Sequence, residues 1–379
     1  MTEYEILRLL WWAVLGVLLI GIAVMDGFDL GSAILLPIVG RTDMERRIVI
    51  NTVGPVWEGN QVWFILGGGA IFAAWPPLYA VAFSGFYLAM LLLLLSLILR
   101  PVGFKYRSKL AGTRWRTTWD TALFLGGLVP ALVFGVAFGN VLQGVPVRFD
   151  DTLRMTYTGT VFGLFNPFAL LCGLVSVTML TMHGASWLAC KTEGIVRLRA
   201  QRAGLIAALL LAVLFILGGV WAARLDGYAL ASFAGMDAAS NPLNKQVVRQ
   251  AGALLANYGT MPWTVAAPVL GLVGALLTAL LMSLHRFSGL AFVTSALSIA
   301  GIIATAGVSL FPFLLPSSID PVSSLTVWDA SSSATTLLVM TVATAIFLPI
   351  IIAYTAWVYH VLRGPVTAAD IEADPHVSY

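Results

Sequence analysis

The sequence predicts an all-α, polytopic membrane protein, and three observations carry that reading. Hydrophobic residues fill 59% of the 379 positions and charged residues only 10%, against about 25% charge in soluble domains. Mean hydropathy is +0.91. Apolar runs long enough to cross about 30 Å of hydrocarbon recur nine times, separated by loops that are alternately rich and poor in cations. The chain reads as a single integral-membrane domain over 1–379, with two four-helix bundles plus one peripheral helix.

The first run covers about 9–31. Its leader, "MTEYEILRLLWW", carries two acids before its first arginine. A cleavable signal peptide wants a basic start and a small-residue cleavage site, so this helix is expected to be retained. Runs at about 53–74, 78–99 and 120–142 complete the first bundle. Those at about 160–188, 204–225, 262–284 and 289–311 form the second, and 335–361 is the peripheral helix.

Arg41, Arg46 and Arg47 follow the first run, and Lys105, Arg107, Lys109, Arg114 and Arg116 the third. Lys191, Arg197, Arg199 and Arg202 follow the fifth, Arg286 the seventh and Arg363 the ninth. Basic loops stay cytoplasmic, which places the N-terminus outside and the C-terminus inside. Small-residue faces such as "GGGAIFAA" (67–74) fit close helix packing. The outer loops 226–260 and 312–334, with Pro, Ser and Asn, read as ordered caps, and Asp329 as the N-cap of the last helix. Trp11, Trp12 and Trp75 fit the aromatic belts at the membrane boundary.

Several function classes drop out. A net charge of +3, dispersed over topology loops, is no footprint for nucleic acid. Cys172 and Cys190 lie on one run, about 27 Å apart along a helix, beyond disulfide reach. His183, His285, His360 and His376 sit at helix ends or in the tail, whereas a haem in a bundle needs axial ligands facing inward. No haem or metal is therefore expected on this chain. The GGG at 67–69 lacks the preceding strand of a nucleotide loop.

What remains is a group of ionisable residues in the wrong solvent. Glu58 lies about two turns into the second run, in "GPVWEGNQVW". On this topology Asp26 and Asp29, spaced i,i+3, lie near the cytoplasmic end of the first helix. Arg100 ends the third and Asp120 begins the fourth. A carboxyl inside a membrane segment costs about 2.5–3.5 kcal/mol on insertion scales and marks a functional site by default. Two readings stand open: a relay that takes up and releases protons, or a structural acid paired with Arg100. Asp29 and Asp120 also fit helix-end groups paired with Arg100 or the loop arginines.

The segments "DGFDLG" (26–31), "ERRIVINTVGPVWEGNQVW" (45–63), "AAWPPLYAVAFSGFY" (73–87), "RPVGFKYRSK" (100–109), "GVAFGNVLQGVP" (135–146), "SNPLNK" (240–245) and "LFPFLLPSS" (310–318) closely resemble subunit II of the cytochrome bd-type ubiquinol oxidases. The resemblance runs from residue 1 to Tyr379. It implies a respiratory terminal oxidase of the bacterial cytoplasmic (inner) membrane, oxidising quinol and reducing O2 to water. Haems b and d would belong to a partner, subunit I, and a small single-helix subunit often completes the complex. A structurally bound ubiquinone and membrane lipid are further expected contacts.

In that family, positions matching Glu58, Asp29, Arg100 and Asp120 are associated with proton transfer from the cytoplasm or with assembly. Asp26 lies at the same depth, and Lys109 and Tyr379 match residues near a cytoplasmic entrance. Two departures stand out. Enterobacterial members carry Asp where this chain has Glu58, and an acid where it has Lys105, which puts a second entry route in doubt. A secondary transporter or an inert scaffold would be the rival readings. Transporters often carry broken helices at the midplane, and no such pair is visible in the sequence.

Overall fold

The computed structural model describes residues 1–373, so Tyr379 and His376 lie outside the described residues. A capping box opens α1 (Glu3–Met25): the Thr2 hydroxyl accepts from Glu5 N, and the Glu5 carboxylate accepts from Thr2 N. A turn at Asp26 leads directly into α2 (Gly27–Val39), and the two form one apolar passage of 37 residues. A second capping box, Thr42 with Glu45, starts α3 (Asp43–Val53). Gly54–Pro55–Val56 interrupts the run before α4 (Trp57–Ala74), because Pro55 has no N–H to give.

Next come α5 (Pro76–Gly85), α6 (Tyr87–Tyr106) and α7 (Thr113–Gln143). A short α8 (Val161–Leu164) precedes α9 (Pro167–Lys191) and α10 (Gly194–Ala222). A short α11 (Ala253–Thr260) precedes α12 (Ala266–Ser283), α13 (Ser288–Leu310), α14 (Ala334–Val361) and α15 (Ala368–Ala373). Three antiparallel hairpins lie in the connections: β1 (Val147–Phe149) with β2 (Met155–Tyr157), β3 (Asp226–Phe233) with β4 (Lys245–Ala251), and β5 (Phe313–Leu315) with β6 (Leu325–Thr326).

Among the described residues, eight helical segments are long and apolar enough to cross a membrane. The expected run 53–74 is not one of them, because α4 opens with the polar turn "WEGNQ". Helix α9 is the hub and packs on α2, α7, α10 and α13. It meets α2 backbone to backbone: a Cβ on Gly31 would stand 2.0 Å from the Leu180 carbonyl oxygen. Helix α14 packs only on α1 and α4 among its larger contacts and buries Leu337 alone.

The arginine-rich connections meet at one end of the molecule, and the hairpins cap the other. Five expectations need correction. The first helix runs to Val39 rather than residue 31, since "ILLPIV" stays helical through Pro37. Asp26 and Asp29 therefore lie inside the passage, with Asp29 about 15 Å from its Val39 end at 1.5 Å per residue. Glu58 sits in the first turn of α4 rather than two turns in, where free N–H groups favour an anion. The interruptions at Asp26 and at 54–56 are breaks that the sequence reading did not see.

Trp11 and Trp75 are not belt residues. Trp11 is buried and its Nε1 donates to Leu337 O and to Thr341, both at 3.0 Å, while Trp75 is fully buried. Nor does Asp329 cap the last helix. Ser333 does, accepting from Thr336 N, and Asp329 instead meets Lys245 at 2.9 Å and accepts from Thr326.

Candidate proton site at the inner half

Asp26 and Arg100 form a closed pair. Both side chains are buried, and the guanidinium forks onto the carboxylate, Nη1 to Oδ1 at 3.0 Å and Nη2 to Oδ2 at 3.1 Å. The i,i+3 spacing puts Asp29 one turn further along α2, but its carboxyl is bonded differently. Its Oδ2 accepts from Asn60 Nδ2 at 2.9 Å, and Oδ1 has no protein partner. Asn60 Oδ1 in turn accepts from the Tyr359 hydroxyl at 2.7 Å. Four elements thus meet here: α2, α4, α6 and α14.

Glu58 does not join them. It is exposed on the surface of this chain, and Arg100, its expected partner, is taken by Asp26. The register of α4 is the cause. Trp57, Asn60, Trp63, Gly67, Ala70 and Ala74 turn inward, while Glu58, Val62, Ile65, Gly69 and Phe72 form an outward stripe at helical spacing. A carboxylate thus leads an otherwise apolar outer face.

Asp120 belongs to a separate network. Arg107 Nε donates to its Oδ1 at 2.5 Å and Arg46 Nη1 to its Oδ2 at 2.7 Å. Arg107 and Arg116 also hold Asp43, at 3.0 and 2.7 Å. Nearby, Arg199 bonds Glu45 at 2.7 Å and the Val39 carbonyl at 3.0 Å. Burial pushes the Glu45 carboxyl up, but the N–H groups of Arg41 and Thr42 and the Arg199 guanidinium outweigh it, so its pKa lies below the ordinary value. This network clamps α3 to the ends of α7 and α10. Lys105 and Lys109 are exposed beside it.

His183 is fully buried in α9 with both ring nitrogens engaged, Nδ1 with Ser295 Oγ at 2.7 Å and Nε2 with Val24 O at 3.0 Å. It packs face to face on Phe292. Such an imidazole has no nitrogen left for a haem iron. Cys172 and Cys190 are free.

Of the predicted residues, the structure brings together Asp26, Asp29 and Arg100, sets Asp120 and Glu58 apart from them, and leaves Lys109 on the surface. Sequence reasoning missed Asn60 and Tyr359. Asn60 stood inside the motif that drew attention to Glu58, but nothing in the apolar run of α14 singles out Tyr359. Arg46 and Arg107 are the loop arginines that pair with Asp120, one of the two pairings expected for it.

A family model described as cytochrome bd terminal oxidase subunit II matches residues 7–362. Cytochrome bd-I ubiquinol oxidase subunit 2 of Escherichia coli (strain K12) is 53% identical over 380 residues, covering 100% of both chains. A probable cytochrome oxidase subunit 2 of Haemophilus influenzae is 50% identical, again over 100% of both. A solved bd oxidase structure from Geobacillus thermodenitrificans aligns with a TM-score of 0.68 and 17% identity, covering 94% of this chain and 98% of that one.

Proposed function

Because this chain belongs to the family of cytochrome bd terminal oxidase subunit II, we propose that it conducts protons from the cytoplasmic side toward the oxygen site of its complex. The complex is a quinol:oxygen oxidoreductase of respiratory electron transport, and this subunit is a multi-pass protein of the bacterial inner membrane. In the proposed arrangement α4 is a ninth span, the arginine-rich end faces the cytoplasm, and the hairpin cap faces outward. Helices up to α7 form one four-helix bundle, those from α9 to α13 a second, and α14 lies at the periphery.

Haems b and d are assigned to subunit I, which fits a chain in which, among the described residues, the one deeply buried histidine has both nitrogens occupied. A small single-helix subunit, lipid and a structural ubiquinone complete the proposal.

The observation that carries the proton reading is the split among the acids. Asp26 and Asp120 are spent on arginines, while Asp29 keeps a buried oxygen without a partner and Glu58 faces outward beside an apolar stripe. A carboxylate on a lipid-facing stripe is costly, so in this proposal subunit I covers that stripe and takes the proton from Glu58. Arg100 and Asp120 act by holding helices, with Lys109 and Tyr379 near the entrance. A scaffold role is favoured for the paired acids alone. Glu58→Gln should slow oxygen consumption while haem content stays near wild type; normal turnover per haem would remove Glu58 from the route.

A further inference from the structure

Asp29 is wholly buried, and its two oxygens have different surroundings. Oδ2 accepts from Asn60, and the Asn60 carboxamide is itself turned by the Tyr359 hydroxyl, which donates to its oxygen. With Asp29 ionised, only one rotamer of the carboxamide serves both neighbours: nitrogen toward the carboxylate, oxygen toward the phenol. The phenol ring is fixed edge-on against Phe28 at 6.4 Å and Trp187 at 5.8 Å.

Oδ1 of Asp29 has no protein partner, and neither have Ser32 Oγ, Trp57 Nε1 and Arg100 Nε, all buried. Ser32 lies one turn beyond Asp29 on α2, and Trp57 one turn before Asn60 on α4. The two helices run in opposite directions, so both steps lead toward the arginine-rich end. Buried polar atoms in folded proteins are met by protein groups or by ordered water. The ligand chemistry these atoms fit is a small molecule that both donates and accepts hydrogen bonds.

We propose that Asn60 and Tyr359 are positioning residues for proton transfer: they hold Oδ2 of Asp29 as a fixed acceptor and leave Oδ1, facing a hydrated step lined by Ser32 and Trp57, as the oxygen that gains and loses the proton. The inference rests on the reading of the inner acids as a proton route. A hydrated proton from the inner side adds to Oδ1, giving a neutral acid whose Oδ2 still accepts from Asn60. Release onward restores the carboxylate, and no electron moves. The charged and titratable groups around it are otherwise engaged. Asp26 and Arg100 hold each other, and Tyr359 is bonded to Asn60. His183 of α9 is bonded to Val24 and Ser295. Asp120 of α7 is held by arginines, and Arg199 of α10 is tied to Val39 and Glu45.

The test uses the purified complex with its haem-bearing partner. The carbonyl stretch of protonated Asp29 is identified in infrared difference spectra as the band lost in Asp29→Asn. Asn60→Leu should move that band and lower oxygen consumption per haem about tenfold, as expected for loss of a hydrogen bond to a charged group. Tyr359→Phe should move it less, with haem content unchanged. Should Asn60→Leu fail to assemble, Tyr359→Phe decides alone: a moved band supports the assignment and an unmoved one overturns it. A slow Asp29→Asn beside Asn60→Leu and Tyr359→Phe with unmoved bands and normal rates overturns the positioning role only. An Asp29→Asn complex with normal turnover overturns the proton route itself.

Discussion

The two ends of the molecule treat buried charge in opposite ways. At the hairpin end Arg8 is fully buried, and every guanidinium nitrogen is used. Nε donates to Ser331, Nη1 to Met236 O, and Nη2 to Ala238 O and Ser240. Lys245, also buried, reaches Asp329 at 2.9 Å and Pro242 O at 2.5 Å. In the inner half, Asp29, Ser32, Trp57 and Arg100 each keep a buried polar atom without a protein partner. A satisfied network fixes one structure, whereas a half-satisfied one lowers stability. Trp75 and Tyr157 beside the hairpins also keep an unpartnered buried atom, so the contrast lies in the charged groups: the cap's cations are fully bonded, whereas Asp29 and Arg100 each keep one atom free.

The strongest way to break this comparison is at the cap. Arg8→Met takes the donor from the carbonyls of Met236 and Ala238, while Ser240 and Ser331 keep each other and Tyr4. Losing hydrogen bonds from a charged donor costs about 1.5–3 kcal/mol. We expect loss of thermal stability and of assembled complex, with turnover per haem unchanged in what assembles. An Arg8→Met complex that melts like wild type would end the distinction.

Lys245→Met should be nearly as damaging, because it leaves Asp329 buried without its cation. Burial holds Asp329 above the ordinary carboxyl range and Lys245 below the ordinary amine range. Lys245→Met combined with Asp329→Leu should recover most of the loss, since apolar replacement of a buried pair is often close to neutral. Melting curves of the single and double variants check this.

In the inner half the effects should fall on rate. Glu58→Asp keeps a carboxyl one methylene shorter and should stay within a few-fold of wild-type oxygen consumption, well above Glu58→Gln. Equal rates for the two would mean that Glu58 carries no proton.

The smallest effect concerns Glu45, in the inner clamp. Its folded pKa is depressed, so its contribution is present above the ordinary carboxyl pKa and is lost as pH falls through the folded value. Glu45→Gln should therefore lower stability by about 1 kcal/mol at pH 7. At pH values below the folded pKa it should make little difference. A loss that is the same at both pH values would remove the charge from the explanation.

Much of this was legible in the sequence. Hydropathy located most of the apolar passages and the arginines marked the connections that meet at one end, since both signals are local and summed over many residues. The breaks were less visible. Gly54–Pro55 is a breaker dipeptide, yet the apolar residues around it suggested one uninterrupted helix. The first run is expected to end at residue 31, whereas the helix continues through Pro37 to Val39. Of the acid pairings that form, the sequence reading includes only that of Asp120 with loop arginines, which Arg46 and Arg107 make. Asp26, Asp29 and Glu58 look alike in sequence. Asp26 finds Arg100 across 74 positions, Asp29 finds Asn60 across 31, and the rotation of α4 turns Glu58 away. Nor does the sequence show that the 226–260 connection folds over Arg8 and takes up its guanidinium.

The central claim is that unpaired acids move protons and paired acids hold helices. It is tested most directly by measuring haem yield and oxygen consumption per haem in four variants side by side. Asp29→Asn and Glu58→Gln should keep their haem and turn over slowly. Asp26→Asn and Asp120→Asn should lose assembled, haem-containing complex, with the remainder turning over at close to the normal rate. The reverse pattern, with slow turnover in the paired set and normal turnover in the unpaired set, would contradict the account.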